Sequence, residues 1–304
     1  MAATTPAWRS MLFVPVLNER FLSRAAERDA DCIQLDLEDA IPPGQKEEAR
    51  HAVGPAAARL AAQGLDVVVR INRPWRQALA DIEASVGPDV CCLTLPKVPD
   101  ASHVRTIAEI VDELERERGM TVGHTRLVVM IETAEGLLNM AAIAAAHPRV
   151  AGLIVGAEDL AVSLGASPTY DTLYIHNAQA VVAARNAGIQ PIGFVGSVAD
   201  YADEEKFRRT IRQAREMGFT GGFCIHPKQV PIMNEVFAPS PAEIEWARGA
   251  LEVFEAALAD GLGAVTFRGA MVDLPVADRA RALLARAANL DRMRASRTRQ
   301  AVPA

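Results

Sequence analysis

The sequence predicts an α/β protein built as a (β/α)8 TIM barrel, with a C-terminal helical extension acting as a lid. Three observations predict it. Short β-branched runs alternate with longer segments of helical period, the pattern of βα units and a parallel sheet. Eight such units fit within residues 1–237, and a barrel of this kind commonly takes roughly 250 residues. The phosphate fingerprints G-x-G-x-x-G and G-x-x-x-x-G-K-[ST] do not occur, which ranks an open doubly wound sheet second.

Met11–Val16 reads as the first strand, followed by a helix from Glu19 to about Asp29 with Asn18 as its N-cap. Cys32–Leu37 is the second strand, and a helix from about Gln45 to Gln63 stops at Gly64 before the strand Val67–Ile71. Strand Val90–Leu95, a charged helix from Ser102 to Arg118 and strand Leu127–Ile131 come next. Helix Gly136–Ala146, strand Gly152–Val155 and a helix from Ile175 to Asn186 lead to Pro191–Val195, whose Pro and Gly make it the weakest strand. Glu204–Met217 is helical, ends at Gly218 and precedes the eighth strand, Gly222–Ile225.

The stretch Ala238-Pro239-Ser240-Pro241 marks a break, so the domains are read as 1–237, the barrel, and 238–304, the extension. The extension reads as a helix Ala242–Leu258, a Gly-containing segment Gly261–Pro275 and a last helix to about Leu290. Its basic tail, with Arg292, Arg294, Arg297 and Arg299, reads as a frayed end rather than an anion site.

Composition excludes several functions. The 32 Lys and Arg against 38 Asp and Glu give a net charge of −6, which offers no footprint for a nucleic-acid backbone. Runs such as Met11–Val16 are far short of the roughly 20 apolar residues of a membrane span, and no secretory signal is readable, so the cytoplasm is expected. Cys32, Cys91, Cys92 and Cys224 lie in apolar runs without C-x-x-C or zinc spacing and read as reduced core residues.

Barrel enzymes carry their chemistry at the C-terminal ends of the strands. Those ends hold Asp36, Glu38 and Asp39, then Arg70, Lys97, Glu132, Glu158 with Asp159, and His226. So many carboxylates around one rim repel each other, so a cation is expected among them. Oxygen donors point to Mg²⁺ or Mn²⁺ rather than zinc, and Mg²⁺ takes only one or two protein carboxylates; Glu132 and Asp159, on adjacent strands, are the best pair. Helix-capping or salt-bridging roles compete for Glu38, Asp39 and Glu158. Arg70 suits an organic acid held by two hydrogen bonds, with pairing to the acidic ring as its alternative. His226 reads as a packing residue beneath the mouth, and Lys97 is a weak Schiff-base candidate.

With these residues in view, the chain resembles the citrate lyase β-subunit family, within the HpcH/HpaI aldolase group of Mg²⁺-dependent barrels. The likeness rests on Arg9-Ser10-Met11-Leu12-Phe13-Val14-Pro15, Leu35-Asp36-Leu37-Glu38-Asp39-Ala40 with Lys46 and Arg50, Val69-Arg70-Ile71-Asn72 and Leu95-Pro96-Lys97. It continues through Ile131-Glu132-Thr133-Ala134-Glu135-Gly136, Gly156-Ala157-Glu158-Asp159-Leu160, Cys224-Ile225-His226-Pro227-Lys228-Gln229 and Gly269-Ala270-Met271-Val272-Asp273-Leu274-Pro275.

The resemblance implies a lyase acting on a 3-hydroxyacyl-CoA thioester such as malyl-, citramalyl- or citryl-CoA. It implies that Glu132 and Asp159 hold Mg²⁺, that Arg70 and Glu132 contact the acid, and that Asp273 is the catalytic acid-base carried over a neighbouring subunit's mouth. It also implies a homo-oligomer, a trimer or hexamer. Read alone, Asp273 is a helix N-cap before Pro275. A thioesterase, a citrate lyase subunit acting on an acyl-carrier-protein thioester and a non-catalytic binding protein are the competing functions. The family's usual Pro-Gly is Pro15-Val16 here, which alters the loop where Arg20 and Arg24 are candidates for holding CoA. The Gly193–Ser197 segment lacks the acidic pattern of many relatives.

Overall fold

Parallel strands covered on both faces need near-continuous apolar sequence, and the Val-, Ile- and Leu-rich runs of this chain supply it. The computed structural model describes residues 7–199 and 201–300, apart from the side chains of residues 296 and 298–300. It divides into two compact units, Met1–Phe237 and Ala238–Ala304.

The first unit opens with β1 (Ser10–Pro15), the short helix α1 (Glu19–Leu22) and β2 (Cys32–Asp36). Next come α2 (Lys46–Ala61), β3 (Asp66–Arg70), α3 (Trp75–Ser85), β4 (Cys92–Leu95), α4 (Ala101–Glu117) and β5 (Arg126–Ile131). It continues with α5 (Ala134–Ala144), β6 (Val150–Val155), α6 (Ala157–Leu164), α7 (Tyr170–Asn186) and β7 (Gln190–Pro191). α8 (Glu204–Met217), β8 (Gly222–Cys224) and α9 (Gln229–Val236) complete it.

These strands form one sheet in the order β7-β6-β5-β4-β3-β2-β1-β8, and every neighbouring pair is parallel. The sheet curls, and the residues that flank its two outermost strands touch: Ile192 bridges Gly221 in parallel, Gly193 N–H donates to Gly221 O at 2.8 Å and Thr220 N–H to Pro191 O at 3.1 Å. All C-terminal strand ends therefore point the same way, and the loops that follow them gather on one side.

The differences from the sequence reading have local causes. The expected helix from Glu19 to Asp29 stops at Leu22, and only a 3-10 turn follows at Ala26–Arg28; Leu22 and Ala25 are the only apolar side chains it buries, too few to hold three turns. β7 is two residues long rather than five; past Pro191, Ile192 N–H still donates to Leu153 O at 2.9 Å, and Gly193 at φ 138° then leaves the strand conformation. α3, α6 and α9 were not expected.

In the second unit, α10 (Pro241–Ala259) is started by a capping box in which Ser240 and Glu243 satisfy each other's backbone N–H groups. The Gly-containing segment is an antiparallel hairpin, β9 (Ala264–Phe267) and β10 (Ala270–Asp273), turned by Arg268 and Gly269 at φ 47° and 80°. α11 (Leu274–Gln300) runs ten residues past Leu290, so the basic tail is helical rather than frayed; the Arg299 side chain lies outside the described residues. Ala250, Phe254, Val272 and Ala277 form this unit's core.

The four cysteines are free thiols, Cys32, Cys92 and Cys224 buried and Cys91 half-buried; burial raises the pKa of each, which fits inert packing residues. No helix among the described residues is long and apolar enough to cross a membrane.

Opposite the strand C-termini, a buried ion pair fastens the first unit. Arg9 Nε and Nη2 donate to the two oxygens of Asp31 at 2.7 Å each, and Arg9 N–H donates to the same carboxylate. Arg9 Nη1 donates to Asn234 O in α9 at 3.1 Å, and Ser10 Oγ donates to Asn234 Oδ1 at 2.8 Å. Asp31→Ala leaves the Arg9 charge buried without its partner. The expected loss is about 3–5 kcal/mol of unfolding free energy, read from urea denaturation of variant and wild type.

Candidate active site

Arg70 is the last residue of β3, and burial alone disfavours its charge; four hydrogen bonds or ion pairs reverse that. Its Nε and Nη2 donate to Asp36 Oδ1 at 2.8 Å and Oδ2 at 2.7 Å, and its Nη1 reaches Glu38 Oε2 at 2.7 Å and Asp39 Oδ2 at 3.3 Å. The hydrogen bonding to Asp36 and the charges of Asp36, Glu38 and Asp39 raise the guanidinium's pKa despite its burial. The guanidinium carbon also lies 4.7 Å from the Phe13 ring centroid. The pairing role offered as the alternative for Arg70 is thus realised here.

The turn after β2 is held from below by a polar network. Asp36 accepts the N–H groups of Glu38 and Ala40. Lys46 Nζ donates to Leu37 O, Glu38 O and Asn72 Oδ1 at 2.6–2.7 Å, and Asn72 Nδ2 donates to Leu37 O and to Asp81. Asp81, fully buried, accepts in addition from Asn72 N–H and from Arg50 Nε. Lys46 and Arg50 of the second motif therefore fix where Glu38 and Asp39 stand.

Glu132 follows β5 and is 3% exposed. Its carboxyl fits only because position 156, after β6, is Gly: a Cβ there would stand 2.3 Å from Glu132 Oε1. Burial, with the charges of Glu38 and Asp159 added, pushes the Glu132 pKa up to about 7, against the pull of the Lys97 N–H and ammonium. Asp159 belongs to the first turn of α6 rather than to the strand end, where the helix N-terminus favours its charge.

Lys97 stands between these acids. Its N–H donates to Glu132 Oε2 at 2.7 Å, and its Nζ lies 3.0 Å from Glu38 Oε1 and 3.3 Å from Asp159 Oδ1. Burial works against its charge, but the hydrogen bond to Glu38 and the charges of Glu38, Glu132 and Asp159 raise its pKa. Its ammonium is taken up by ion pairs with two carboxylates, which speaks for charge pairing over the Schiff-base role.

Arg70, Glu132 and Asp159 line one cavity of about 830 Å³, within the size range of small-molecule sites. Its other walls are mostly apolar, with Phe13, Phe194 and Phe223 among them; Arg24 and Arg28 also face it, while Arg20 is not among its lining residues. His226 lines it too and stacks on Tyr201 with ring centroids 4.4 Å apart, Nδ1 accepting Lys228 N–H. That stack, the Phe13 face under Arg70 and the Lys97 backbone carry no sequence signal, because each depends on a meeting across loops.

Among the described residues no three His, Cys, Asp or Glu side chains group as a metal cage. The pair Glu132 and Asp159, both on the wall of the cavity, fits a hard divalent ion that takes one or two carboxylates and keeps water or substrate oxygens. Asp273 belongs to the second unit, at the end of β10, where its Oδ1 accepts Val276 N–H at 3.2 Å. That is the helix-capping contact its spacing alone suggests.

Residues 9–227 match the HpcH/HpaI aldolase/citrate lyase family model. The citrate lyase subunit beta of Escherichia coli K12 is 35% identical over 284 residues, 92% of this chain and 93% of its own. The (3S)-malyl-CoA thioesterase of Cereibacter sphaeroides ATCC 17023 is 35% identical over 301 residues, 97% of this chain and all of its own. The crystal structure of the protein CitE of Mycobacterium tuberculosis, in complex with magnesium, acetoacetate and coenzyme A, superimposes with a TM-score of 0.72 at 30% identity, covering 95% of this chain and all of that one. With the family model spanning the whole run of strand-end carboxylates, and relatives alike along almost the full length, the chain belongs to the HpcH/HpaI aldolase/citrate lyase family.

Proposed function

We propose that the protein is a Mg²⁺-dependent carbon–carbon lyase that cleaves, or in reverse condenses, a 3-hydroxyacyl-CoA thioester such as malyl-, citramalyl- or citryl-CoA. The observation that carries this reading is the pair Glu132 and Asp159 beside Arg70 on the wall of one cavity at the strand C-termini. The magnesium, acetoacetate and coenzyme A of the Mycobacterium tuberculosis relative support it.

Glu132 and Asp159 would hold the ion. Bound there, a divalent ion supplies Lewis acidity to an oxygen that gains negative charge. Arg70 faces the acid's carboxylate as a fixed positive group that cannot lose its proton. In the cleavage direction the C3 hydroxyl gives up its proton and the C2–C3 bond breaks. Its electron pair passes into the thioester as an enolate, and C3 becomes the carbonyl of a 2-keto acid. The enolate then takes a proton at C2 to give acetyl-CoA. Asp273 is the proposed proton carrier, in the mouth of a neighbouring subunit. On this reading the curled sheet of residues 1–237 is a closed (β/α)8 barrel, supported by the Ile192–Gly221 bridge. Residues 238–304 act as its lid, and the protein is a cytoplasmic trimer or hexamer.

A second reading has a specific observation behind it. The likeness to a malyl-CoA thioesterase is as high as that to a lyase subunit and covers the whole of that relative. Hydrolysis releases CoA and leaves the hydroxy acid whole, whereas cleavage yields acetyl-CoA and a keto acid. The citrate lyase subunit beta likeness supports a third outcome, an acyl-carrier-protein thioester as substrate.

Purified protein with Mg²⁺ and malyl-, citramalyl- and citryl-CoA is expected to release acetyl-CoA and a keto acid from at least one, and to stop on chelation. Free CoA with intact hydroxy acid makes it a hydrolase, and no thioester turnover across the panel sinks both. Asp159→Ala is expected to abolish the Mg²⁺ dependence. Gly156→Ala, which drives a methyl into Glu132, is expected to weaken Mg²⁺ binding roughly 10–100-fold in calorimetry while the far-UV spectrum stays native.

A further inference from the structure

Lys97 has φ 48°, a backbone region that Gly enters freely and a long side chain does not. The conformation is fastened from three sides. Arg73 Nε donates to Lys97 O at 3.1 Å, Lys97 N–H donates to Glu132 Oε2 at 2.7 Å, and Val98 N–H donates to Met130 O at 3.2 Å. Its effect is to present two donor groups of one residue to carboxylates that follow three different strands. The N–H meets Glu132, while the ammonium reaches Glu38 and Asp159.

The surrounding charges give this a purpose. Asp36, Glu38 and Asp39 share Arg70, whereas the hydrogen bonds and ion pairs that bring positive groups to Glu132 and Asp159 both come from Lys97. Two carboxylates meant for a divalent ion need a substitute when none is bound, or they repel and drift apart. A substitute that is too strong would keep the ion out.

Resting on the reading that Glu132 and Asp159 hold the ion, we infer that Lys97 is the built-in counter-cation of that pair, and that it sets the site's metal affinity by competing for Asp159. It is a positioning residue: its backbone fixes Glu132 and its ammonium holds Asp159 near its working place. With an ion held by the pair, Asp159 would turn to it, and Glu38, the nearer partner at 3.0 Å, would keep the Lys97 ammonium paired.

The test is calorimetric titration of chelator-stripped protein with MgCl₂ and MnCl₂, paired with thermal melts without and with metal. Lys97→Met removes the like charge beside the ion and is expected to tighten metal binding roughly tenfold. It is also expected to lower the melting temperature of the metal-free protein, and so widen the shift that metal produces. Lys97→Arg, which keeps a cation, is expected to stay near wild type on both measures. Should Lys97→Met fail to fold, Lys97→Gly carries the same comparison, because it accepts the left-handed backbone and keeps the N–H. Unchanged or weaker metal binding in the neutral variants, with wild type binding normally, overturns the role of Lys97 alone. Wild-type protein that binds neither ion overturns the metal reading, and this inference with it.

Discussion

A guanidinium in the wall of a protein has to be surrounded by acids, and Arg70 meets that requirement with three of them. The two hydrogen bonds that Arg70 donates to Asp36 tie the end of β3 to the end of β2, and Glu38 and Asp39 are drawn in by the same group. Most of the mouth follows from this. The turn after β2 must be held where the carboxylates reach Arg70, and Lys46, Asn72, Asp81 and Arg50 hold it through its backbone carbonyls and side chains. Once Glu38 is placed, its second oxygen faces Lys97, and Lys97 in turn meets Glu132 and Asp159. Charge compensation thus runs across five consecutive strands, from the ends of β2 and β3 to the first turn after β6.

The strands and long helices were legible because their residues obey one rule each. Continuous apolar runs mark buried parallel strands, and α8 stands between an acidic start and Gly218 in the left-handed conformation. The missed helices break those rules. Of the four buried residues of α3, Asp81 and Ser85 are polar, so no apolar stripe is visible, and Asp81 is tolerable there only through Arg50 and Asn72. α9 buries six of its eight residues and leaves only Pro231 and Glu235 exposed, too few polar positions to set a period, and α6 is too short to show one. The carboxylates of the site were legible by position, at strand ends. Which of them serve Arg70, and which lie beside Lys97 and Gly156, depends on distances between loops that spacing does not encode.

Lyase and hydrolase relatives stand equally near this chain, and the geometry explains how one scaffold can serve both. On the proposed reading, a cation held by Glu132 and Asp159 and the guanidinium of Arg70 would recognise a hydroxy acid whichever bond of its thioester breaks. The outcome depends on where a proton is taken and whether water reaches the acyl carbon, which are matters for the loops around the cavity and not for the carboxylate pair.

The contacts of Arg9 and Ser10 with Asn234 join residues more than 220 positions apart, and β1 takes its second neighbour from β8. During synthesis, the first strand to emerge therefore waits with one edge open until the last strand and helix of its unit have left the ribosome. Its hydrophobic run stays available for wrong pairing throughout that interval, and the unit gains its cooperative stability in a late step rather than piece by piece.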